Sequence, residues 1–231
     1  MAFNNTGGFE WSQFPGCGPA AEVFGVLADQ RLLELGCGTG ANAAALARCG
    51  AVVHGVDVAV ENIIQARMQF AELEPKLTFT SCSVEEFLAT TDRRFGCAYS
   101  VFGAVGFVDP HVLLPLVRRC LTPNGRLIFS VRHPEWDSGG PLPRADRVVR
   151  HKLPATGAVV RRFEFGRTAW FTVLSRYGFR IDQMLDIPAP APHSRGARAR
   201  AVVAPCCLLV VSTVMSTSDV SRARWGGTCR W

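Results

Sequence analysis

The chain has 231 residues and is 48% hydrophobic, which fits one domain with a sizeable core and a modest insertion. No apolar run approaches the roughly 18 residues that a membrane helix needs, so we expect no membrane span. The formal net charge of +6 is uneven, with 9 Lys and Arg against 12 Asp and Glu in residues 1–130 and 16 against 7 in residues 131–231.

The basic second half leaves two interpretations open. Excess positive charge is typical of proteins that bind nucleic acid or an acidic substrate. However, 23 of the 25 basic residues are arginine, in a chain rich in Ala, Gly and Pro, and a GC-rich genome favours the same composition.

The cysteines and the N-terminus predict the compartment. Nine cysteines are scattered without a C-x-x-C pair, which indicates reduced thiols and neither a disulfide framework nor a zinc site. The sequence MAFNNTGGFEW lacks the basic start and apolar centre of a signal peptide. We therefore expect a cytoplasmic protein without a bound metal.

Short apolar runs alternate with helical patterns through the first half of the chain, which predicts βα units and a parallel sheet. The predicted strands are residues 31–35, 51–57, 77–81, 96–101 and 126–131. The predicted helices lie near residues 40–49, 60–73, 83–90 and 111–121.

The pattern changes after the fifth predicted strand. Residues 134–165 are rich in Pro, Gly, Arg and Val, and we expect an insertion on the substrate side of the sheet, with a hairpin at 147–164. A helix at 167–177 and strands at 179–186 and 202–214 follow, with a Pro-rich loop at 188–201. We therefore expect one domain over residues 1–214 and a disordered or surface tail over residues 215–231.

The sequence RLLELGCGTG, residues 31–40, carries the strongest functional signal. It places Gly36, Gly38 and Gly40 between an apolar strand and a helix, where glycine permits positive φ and close approach of a ligand. Backbone N–H groups at such a helix start bind polar or anionic groups. A second apolar run ends in Asp57, the position at which Rossmann-like proteins hold ribose hydroxyls.

Glycine spacing does not decide which nucleotide binds, because Gly36, Gly38 and Ala41 also satisfy the dinucleotide pattern G-x-G-x-x-G/A. Glu34 favours one choice. A fixed negative charge beside the turn would repel a pyrophosphate, whereas a ligand that carries a sulfonium and an ammonium would tolerate it.

With Glu34 and the L-x-P-x-G turn at 121–125, this string resembles the class I, Rossmann-like, S-adenosylmethionine (SAM)-dependent methyltransferases of the small-molecule type. The resemblance implies an α/β fold: a seven-stranded mixed sheet with an antiparallel last strand pair and helices on both faces. It also implies SAM as the cofactor.

The resemblance further implies a set of cofactor contacts. Asp57 would hold both ribose hydroxyls, because a carboxylate offers two acceptor oxygens. Asn42 would reach the methionine carboxylate or cap the helix. Cys82 stands where many members carry an Asp that contacts adenine, which leaves backbone groups of Ser83 and Val84 for that role. The full expected set is Glu34, Gly36, Cys37, Gly38, Gly40, Asn42, Asp57, Val58, Cys82, Ser83, Val84 and Val101.

His133 is the candidate catalytic side chain. It follows the fifth strand directly, at the edge where α/β proteins bind ligands. A neutral imidazole there could accept the proton that an alcohol, phenol or ammonium loses on methylation. A structural hydrogen bond and an exposed histidine are the alternatives.

These features predict transfer of a methyl group from SAM to an oxygen or nitrogen of a small molecule, in natural-product biosynthesis. The fourth strand is followed by Phe102 and Gly103 instead of the N-P-P-Y typical of nucleobase methylation, so we expect no nucleic-acid partner. Two rivals remain: a nucleic-acid methyltransferase that uses the basic half, and a non-catalytic protein that binds SAM or NAD.

Overall fold

The computed structural model describes residues 8–134, 147–152, 159–190 and 205–216. Its strands are β1 (Arg31–Leu35), β2 (Val52–Asp57), β3 (Leu77–Ser81), β4 (Phe95–Val101), β5 (Leu121–Arg132), β6 (Arg147–Lys152), β7 (Val159–Glu164), β8 (Phe179–Pro188) and β9 (Pro205–Val214). Its α-helices are α1 (Ala41–Arg48), α2 (Val60–Gln69), α3 (Val84–Thr90), α4 (Pro110–Cys120) and α5 (Arg167–Arg176). Short 3-10 turns occupy Ala21–Phe24, Ala71–Leu73 and Ala104–Gly106.

Seven strands form one sheet in the order β3-β2-β1-β4-β5-β9-β8. Strands β1 to β5 are parallel to one another, whereas β9 is antiparallel to both β5 and β8. The predicted mixed sheet with an antiparallel last strand pair is confirmed. The carboxyl ends of β1, β2, β4 and β5 meet along one border of the sheet, here termed the carboxyl edge, where ligands of open α/β sheets bind.

Helices cover both faces of this sheet, as predicted. On β1, Leu32 packs towards α1 and α2, whereas Leu33 and Leu35 pack towards α3, α4 and α5. All three leucines are fully buried. Because the strand is buried on both sides, it is apolar almost throughout, and each such side chain stabilises the fold by roughly 1.5–3 kcal/mol.

An N-terminal strap, residues 8–24, adds to the layer of α1. Three of its four aromatic residues pack on one another, with ring centroids of Phe9 and Trp11 4.7 Å apart and those of Trp11 and Phe24 5.3 Å apart. Phe24 also meets Tyr99 of β4 at 5.2 Å. The indole N–H of Trp11 donates to the Ala20 carbonyl at 2.7 Å, so the polar atom of this buried ring is satisfied.

The main departure from the predicted elements is at β5. The sequence pattern placed its start at residue 126 after a turn, but the strand begins at Leu121, which pairs with Phe95 before the register shifts to Cys97 and Arg126. Asn124 takes a positive φ of 61° within this stretch. The Pro and Gly of the L-x-P-x-G segment therefore form an irregularity inside an extended strand, because β4 supplies pairing partners on both sides of it.

Smaller differences concern element ends. The second predicted helix stops at Gln69, and a 3-10 turn takes up residues 71–73. The hairpin predicted within 147–164 is present as the antiparallel pair β6 and β7. Residues 135–146, 153–158, 191–204 and 217–231, which contain most of the predicted insertion, the Pro-rich loop and the tail, lie outside the described residues.

No helix in the described ranges is long and apolar enough to span a membrane. All eight cysteines of the described part are free thiols, in line with the predicted reduced state. Five of them are buried, and Cys49 is exposed at the end of α1. The described residues contain no group of three or more His, Cys, Asp or Glu side chains that could hold a metal ion.

His54 of β2 is a buried polar group on the α3 side of the sheet. Its ring stacks on Phe87 at 4.9 Å, and its two nitrogens lie 2.8 Å and 3.1 Å from the hydroxyls of Thr78 and Thr80. Burial, with the nearby positive charge of Arg93 as a smaller cause, lowers the pKa of His54 from 6.5 to about 4. The folded protein therefore holds this imidazole neutral at physiological pH.

We expect acid to destabilise the protein through His54. Between pH 6.5 and pH 4 the unfolded chain binds a proton that the folded chain does not, so the free energy of unfolding falls as the pH falls. At about 1.4 kcal/mol for each pKa unit, this group costs roughly 3 kcal/mol by pH 4. Glu34, whose pKa is raised, contributes with the opposite sign over the same range, so the comparison of variants isolates His54. In urea unfolding, the free energy of unfolding of the wild type relative to His54→Gln should fall by this amount between pH 7.5 and pH 4. The exposed His111 provides the control, because His111→Gln should keep the wild-type slope. Equal slopes in all three proteins would contradict the assignment.

Candidate functional site

The glycine turn, residues 36–40, connects β1 to α1 at the carboxyl edge. The backbone N–H groups of Gly36 and Cys37 both donate to the Val56 carbonyl of β2, at 2.8 Å and 3.0 Å. The turn closes when Gly40 N–H donates to the Cys37 carbonyl at 3.0 Å. It is therefore fastened to the neighbouring strand before α1 begins.

The three glycines of the turn serve different purposes. All have positive φ, at 81°, 54° and 79°. A Cβ on Gly36 would lie 2.6 Å from the Ala104 nitrogen, and one on Gly40 would lie 2.6 Å from the Phe79 ring. No described atom lies within 4 Å of the position that a Cβ on Gly38 would take. Two of the glycines are thus required by protein packing, and Gly38 borders open space in which a ligand can lie.

Asp57 is located at the end of β2 and faces the glycine turn. One carboxylate oxygen accepts from Gly38 N–H at 2.7 Å. The other accepts from Ala59 N–H at 2.9 Å and lies 3.4 Å from the Asn62 amide nitrogen. The side chain is half-buried, and each oxygen has acceptor capacity beyond these bonds. Asp57 is therefore held in a fixed orientation beside the open side of the turn.

The residues expected around adenine surround Asp57. Cys82, half-buried after β3, donates its backbone N–H to the Asp57 carbonyl at 3.2 Å. Ser83 is the N-cap of α3, and the Val84 side chain is buried in the core, so only the backbone of Val84 is suited to a ligand contact. Val58 is 74% exposed and can lie against a flat ring.

Glu34 differs from its predicted role. The carboxyl group is almost fully buried, where it accepts a hydrogen bond from Tyr99 Oη at 3.1 Å and one from the Ala43 backbone. Burial raises the pKa of Glu34 to about 8, and the negative charge of Asp57 contributes. The expectation of a fixed negative charge that repels a pyrophosphate is therefore wrong for the unliganded protein, because desolvation holds Glu34 protonated at neutral pH.

The structure excludes one of the two alternatives for Asn42. Its amide oxygen accepts from the Glu10 backbone N–H and its amide nitrogen donates to the Glu10 carbonyl, both at 3.2 Å. The N-cap of α1 is Gly40 and has no side-chain capping bond, so the capping prediction is wrong. Asn42 instead fastens the N-terminal strap to the first turn of α1, directly beside the glycine turn.

The same strap reaches the far end of the carboxyl edge. The thiol of Cys207, at the start of β9, lies 3.7 Å from the Trp11 carbonyl. Gly18 packs against Ile187 near the end of β8, where a Cβ would approach the isoleucine side chain to 3.1 Å. The strap thus runs along the edge from α1 to the antiparallel strand pair.

His133 lies at this far end. Its backbone N–H donates to the Cys206 carbonyl at 3.1 Å, and its side chain is buried. The ring Nε2 lies 3.3 Å from Asp186 Oδ1. Arg167, at the start of α5, contacts the other oxygen of Asp186 at 2.8 Å. The exposed-histidine alternative is wrong, because the ring is buried and lies against the Asp186 carboxylate.

Val101 and the turn after it connect the two ends of the site. Val101 is half-buried opposite Ser130 of β5. The following Phe102 takes a positive φ of 48°, and the next residue, Gly103, packs its Cα close to Gly36. The 3-10 turn at 104–106 then lies between the glycine turn and β5.

Four contributors to the site have no signal in the sequence pattern: Glu10, Tyr99, Arg167 and Asp186. Each acts through a partner that is distant along the chain, as for Glu10 and Asn42, which are 32 residues apart. Asn62 is a fifth residue that sequence reasoning missed, but here the sequence does contain a signal. Asn62 follows Asp57 by five residues, and the start of a helix brings residues at that spacing together.

The first half of the chain is similar in sequence to known proteins. Residues 32–125 match a family described as "Methyltransferase domain". The Ubiquinone biosynthesis O-methyltransferase of Alkalilimnicola ehrlichii is 31% identical over 110 residues, which are 48% of this chain and 44% of that protein. Its counterpart from Histophilus somni is 31% identical over 108 residues, 45% of each chain. The chain spans less than half the length of these curated relatives.

Solved structures extend the likeness to the whole fold. A SAM-dependent methyltransferase from Mesorhizobium loti superposes with a TM-score of 0.64 at 24% identity, over 81% of this chain and 92% of the other. Burkholderia thailandensis 1,6-didemethyltoxoflavin-N1-methyltransferase, with bound 1,6-didemethyltoxoflavin and S-adenosylhomocysteine, superposes at 0.60 and 18% identity, over 82% and 72%. At these identities the likeness establishes the fold.

The different surroundings of the glycines predict different effects of alanine. Gly38→Ala adds a methyl group towards open space and should cost only the roughly 1–2 kcal/mol of positive-φ strain. Gly36→Ala meets the Ala104 backbone as well, and overpacking adds about 1–3 kcal/mol. Urea unfolding should rank Gly36→Ala as clearly the less stable variant. Equal losses in the two proteins would contradict the assigned packing role of Gly36.

Proposed function

We propose that this chain, whose residues 32–125 are a methyltransferase domain within the class I, Rossmann-like fold of SAM-dependent methyltransferases, transfers a methyl group from SAM to a small molecule. The observation that carries the proposal is the bond between Asp57 and Gly38 N–H, because it aims a carboxylate at the open side of a glycine turn. A cofactor with ribose hydroxyls and a polar amino-acid end has groups complementary to the Asp57 carboxylate and to the glycine turn.

The residues of the turn fit SAM. Gly38 leaves space for the backbone to approach the methionine half, and Asp57 has acceptor capacity for ribose hydroxyls. Glu34 lies beneath the turn, and the ammonium of the cofactor would favour its ionised form. The residues that would hold the cofactor are Glu34, Gly36, Cys37, Gly38, Gly40, Asp57, Val58, Cys82, Ser83, Val84 and Val101. Asn42 contributes by fixing the strap beside them.

Methyl transfer from SAM requires little from the protein beyond alignment of the acceptor with the methyl group. The sulfonium of SAM already activates the methyl carbon for direct displacement. The chain must hold the acceptor in line with that carbon, and effective molarities show that such alignment alone supplies several kcal/mol of the barrier. His133 is the candidate base, placed by β5 at the same edge of the sheet as the glycine turn.

We propose an oxygen or nitrogen of a small metabolite as the methyl acceptor. The curated relatives are named for an O-methyltransferase of ubiquinone biosynthesis, and one structural neighbour for an N1-methyltransferase of 1,6-didemethyltoxoflavin. Natural-product biosynthesis in the cytoplasm fits a chain without the N-P-P-Y sequence after β4 and with free thiols in its described part.

One observation favours the rival function of nucleic-acid methylation. Arg150 and Arg161 lie directly opposite each other in the β6–β7 hairpin, and both are exposed. Like charges in cross-strand pairs are destabilising unless an anion neutralises them. β7 also lies near the 3-10 turn at 104–106, on the substrate side of the sheet. A phosphate backbone would supply such an anion.

Labelled SAM distinguishes the proposed function from its rivals. We expect label from methyl-labelled SAM to enter small molecules when the protein is incubated with a metabolite extract, and to stay out of added RNA. Binding to RNA or duplex DNA at physiological salt should be no tighter than the non-specific range of about 10⁻⁴–10⁻⁶ M. Label in RNA with nanomolar binding would establish the rival. Label in neither fraction would leave a non-catalytic nucleotide-binding protein.

Binding of S-adenosylhomocysteine tests the cofactor assignment separately. Ligand at about a hundred times its dissociation constant should stabilise the wild type by roughly 2.7 kcal/mol. Asp57→Ala removes hydrogen bonds to a charged group worth about 1.5–3 kcal/mol each, so calorimetry should show an affinity loss of two or more orders of magnitude. Glu61→Gln, on the exposed side of α2, is the control and should bind normally. A loss of less than tenfold in Asp57→Ala would remove Asp57 from the ribose site.

A further inference from the structure

We infer that the buried pair of Glu34 and Tyr99 selects a cationic cofactor, and that Glu34 releases one proton when that cofactor binds. This inference rests on the proposed function and deepens it, because it names the cofactor group that the inner layer of the site recognises and links cofactor affinity to pH. The group is an ammonium, which SAM and S-adenosylhomocysteine both carry at the amino-acid end.

Glu34 lies at the carboxyl edge, on β1 and two residues before Gly36. Tyr99 Oη of β4 donates to Glu34 Oε2 at 3.1 Å, and the backbone N–H of Ala43 in α1 donates to the same carboxyl group. The residue is only 2% exposed. The carboxyl group is therefore a fixed, desolvated group beneath the glycine turn.

The surroundings of this carboxyl group lack a positive charge. Across the ranges that the structure describes, no Lys, Arg or His side chain forms an ion pair with Glu34. The titratable groups that face it are Asp57 from β2, Tyr99 from β4 and Cys37 from the glycine turn. Asp57 adds a like charge. An ionised Glu34 in this place requires a cation, and the ligand has to bring it.

Tyr99 is the positioning residue for Glu34. Its ring is fully buried and packs edge-on against Phe9 and Phe24 of the strap, with centroids at 5.9 Å and 5.2 Å. Burial raises the pKa of Tyr99 well above 10, so its hydroxyl remains a donor. A hydrogen bond strengthens when its acceptor becomes ionised. Tyr99 therefore orients Glu34 and stabilises its carboxylate form once a cation is present.

Proton release follows from the different states of Glu34 with and without the ligand. Desolvation raises the pKa of Glu34 to about 8 in the unliganded protein, so it is protonated at neutral pH. An ammonium beside it favours the carboxylate, and the proton leaves to solvent. Below pH 8 the free protein thus binds one proton more than the complex. Cofactor affinity therefore rises with pH, about tenfold for each unit, and becomes constant above pH 8.

The alternative is a Glu34 that stays protonated in the complex, and a proton count separates the two. Titration calorimetry of the full-length wild type at pH 6.5, in buffers of different ionisation enthalpy, measures the protons released on binding. We expect about one proton for each S-adenosylhomocysteine bound. We expect none for 5′-methylthioadenosine, which has the same nucleoside and thioether but no ammonium. Equal proton counts for the two ligands would overturn the inference.

The pH dependence of affinity between pH 5.5 and pH 7.5 provides the second measurement. Wild-type affinity for S-adenosylhomocysteine should rise about tenfold for each pH unit. Glu34→Gln keeps the size of the side chain and an acceptor for Tyr99, but it cannot ionise, so its affinity should not change with pH. The variant should bind within about threefold of the wild type at pH 5.5 and at least about thirtyfold more weakly at pH 7.5. A wild-type slope in Glu34→Gln would contradict the inference.

Tyr99→Phe tests the positioning role, because it removes the hydroxyl and keeps the ring. At pH 7.5 it should weaken S-adenosylhomocysteine binding at least about tenfold, the value of a hydrogen bond to a charged group, and leave 5′-methylthioadenosine binding unchanged. An equal loss for both ligands would make Tyr99 a packing residue. Glu61→Gln, exposed on α2, is the matched control and should keep the wild-type slope. Thermal melting without ligand shows whether each variant is folded.

The outcomes distinguish this inference from the proposed function. If S-adenosylhomocysteine binds without proton release and with an affinity independent of pH, the inference fails and the cofactor assignment stands. If S-adenosylhomocysteine does not bind, the proposed function fails and the inference fails with it. If Glu34→Gln does not fold, the proton counts of the wild type with the two ligands decide alone.

Discussion

The hydrogen bond between the Asp57 carboxylate and Gly38 N–H is the contact on which the rest of the site depends. It connects the end of β2 to the middle of the glycine turn at 2.7 Å, with two further bonds from the turn to the Val56 carbonyl below it. A charge-assisted bond of this kind is roughly twice as strong as a neutral one. It keeps the space beside Gly38 open and orients the carboxylate towards that space. A nucleoside-containing ligand could then contact the Asp57 carboxylate with its ribose and the backbone of the glycine turn with the rest of the molecule.

The buried layer beneath the turn connects it to the N-terminal strap. Tyr99 donates to Glu34, and the Tyr99 ring contacts Phe9 and Phe24, with centroids at 5.9 Å and 5.2 Å. The Asn42 side chain, at the start of α1, also hydrogen-bonds to the strap through the backbone of Glu10. A buried carboxyl group that is protonated avoids the large cost of an unpaired buried charge. A cationic ligand group bound beside Glu34 would favour the ionised form of this carboxyl group.

The two ends of the carboxyl edge have different relationships to known proteins. The matched methyltransferase domain ends at residue 125, so it contains the glycine turn and Asp57. His133, Arg167 and Asp186 all follow that point: His133 comes directly after β5, Arg167 begins α5, and Asp186 is on β8. The likeness in sequence therefore covers the glycine turn and Asp57, whereas the elements around His133 resemble other structures in fold alone.

The sequence by itself determined the βα alternation, the glycine turn and the position of Asp57, because each depends on local backbone conformation and on the short period of buried strands. Tertiary structure decided what sequence reasoning missed. Burial holds Glu34 protonated where a charge was expected, and Asn42 binds the backbone of Glu10 instead of capping its own helix. The partner of His133 is on β8, which lies across β9 from β5 and is brought there only by the antiparallel return of the chain. Protonation states and side-chain partners depend on which distant segments exclude water from a group, and a linear pattern does not carry that information.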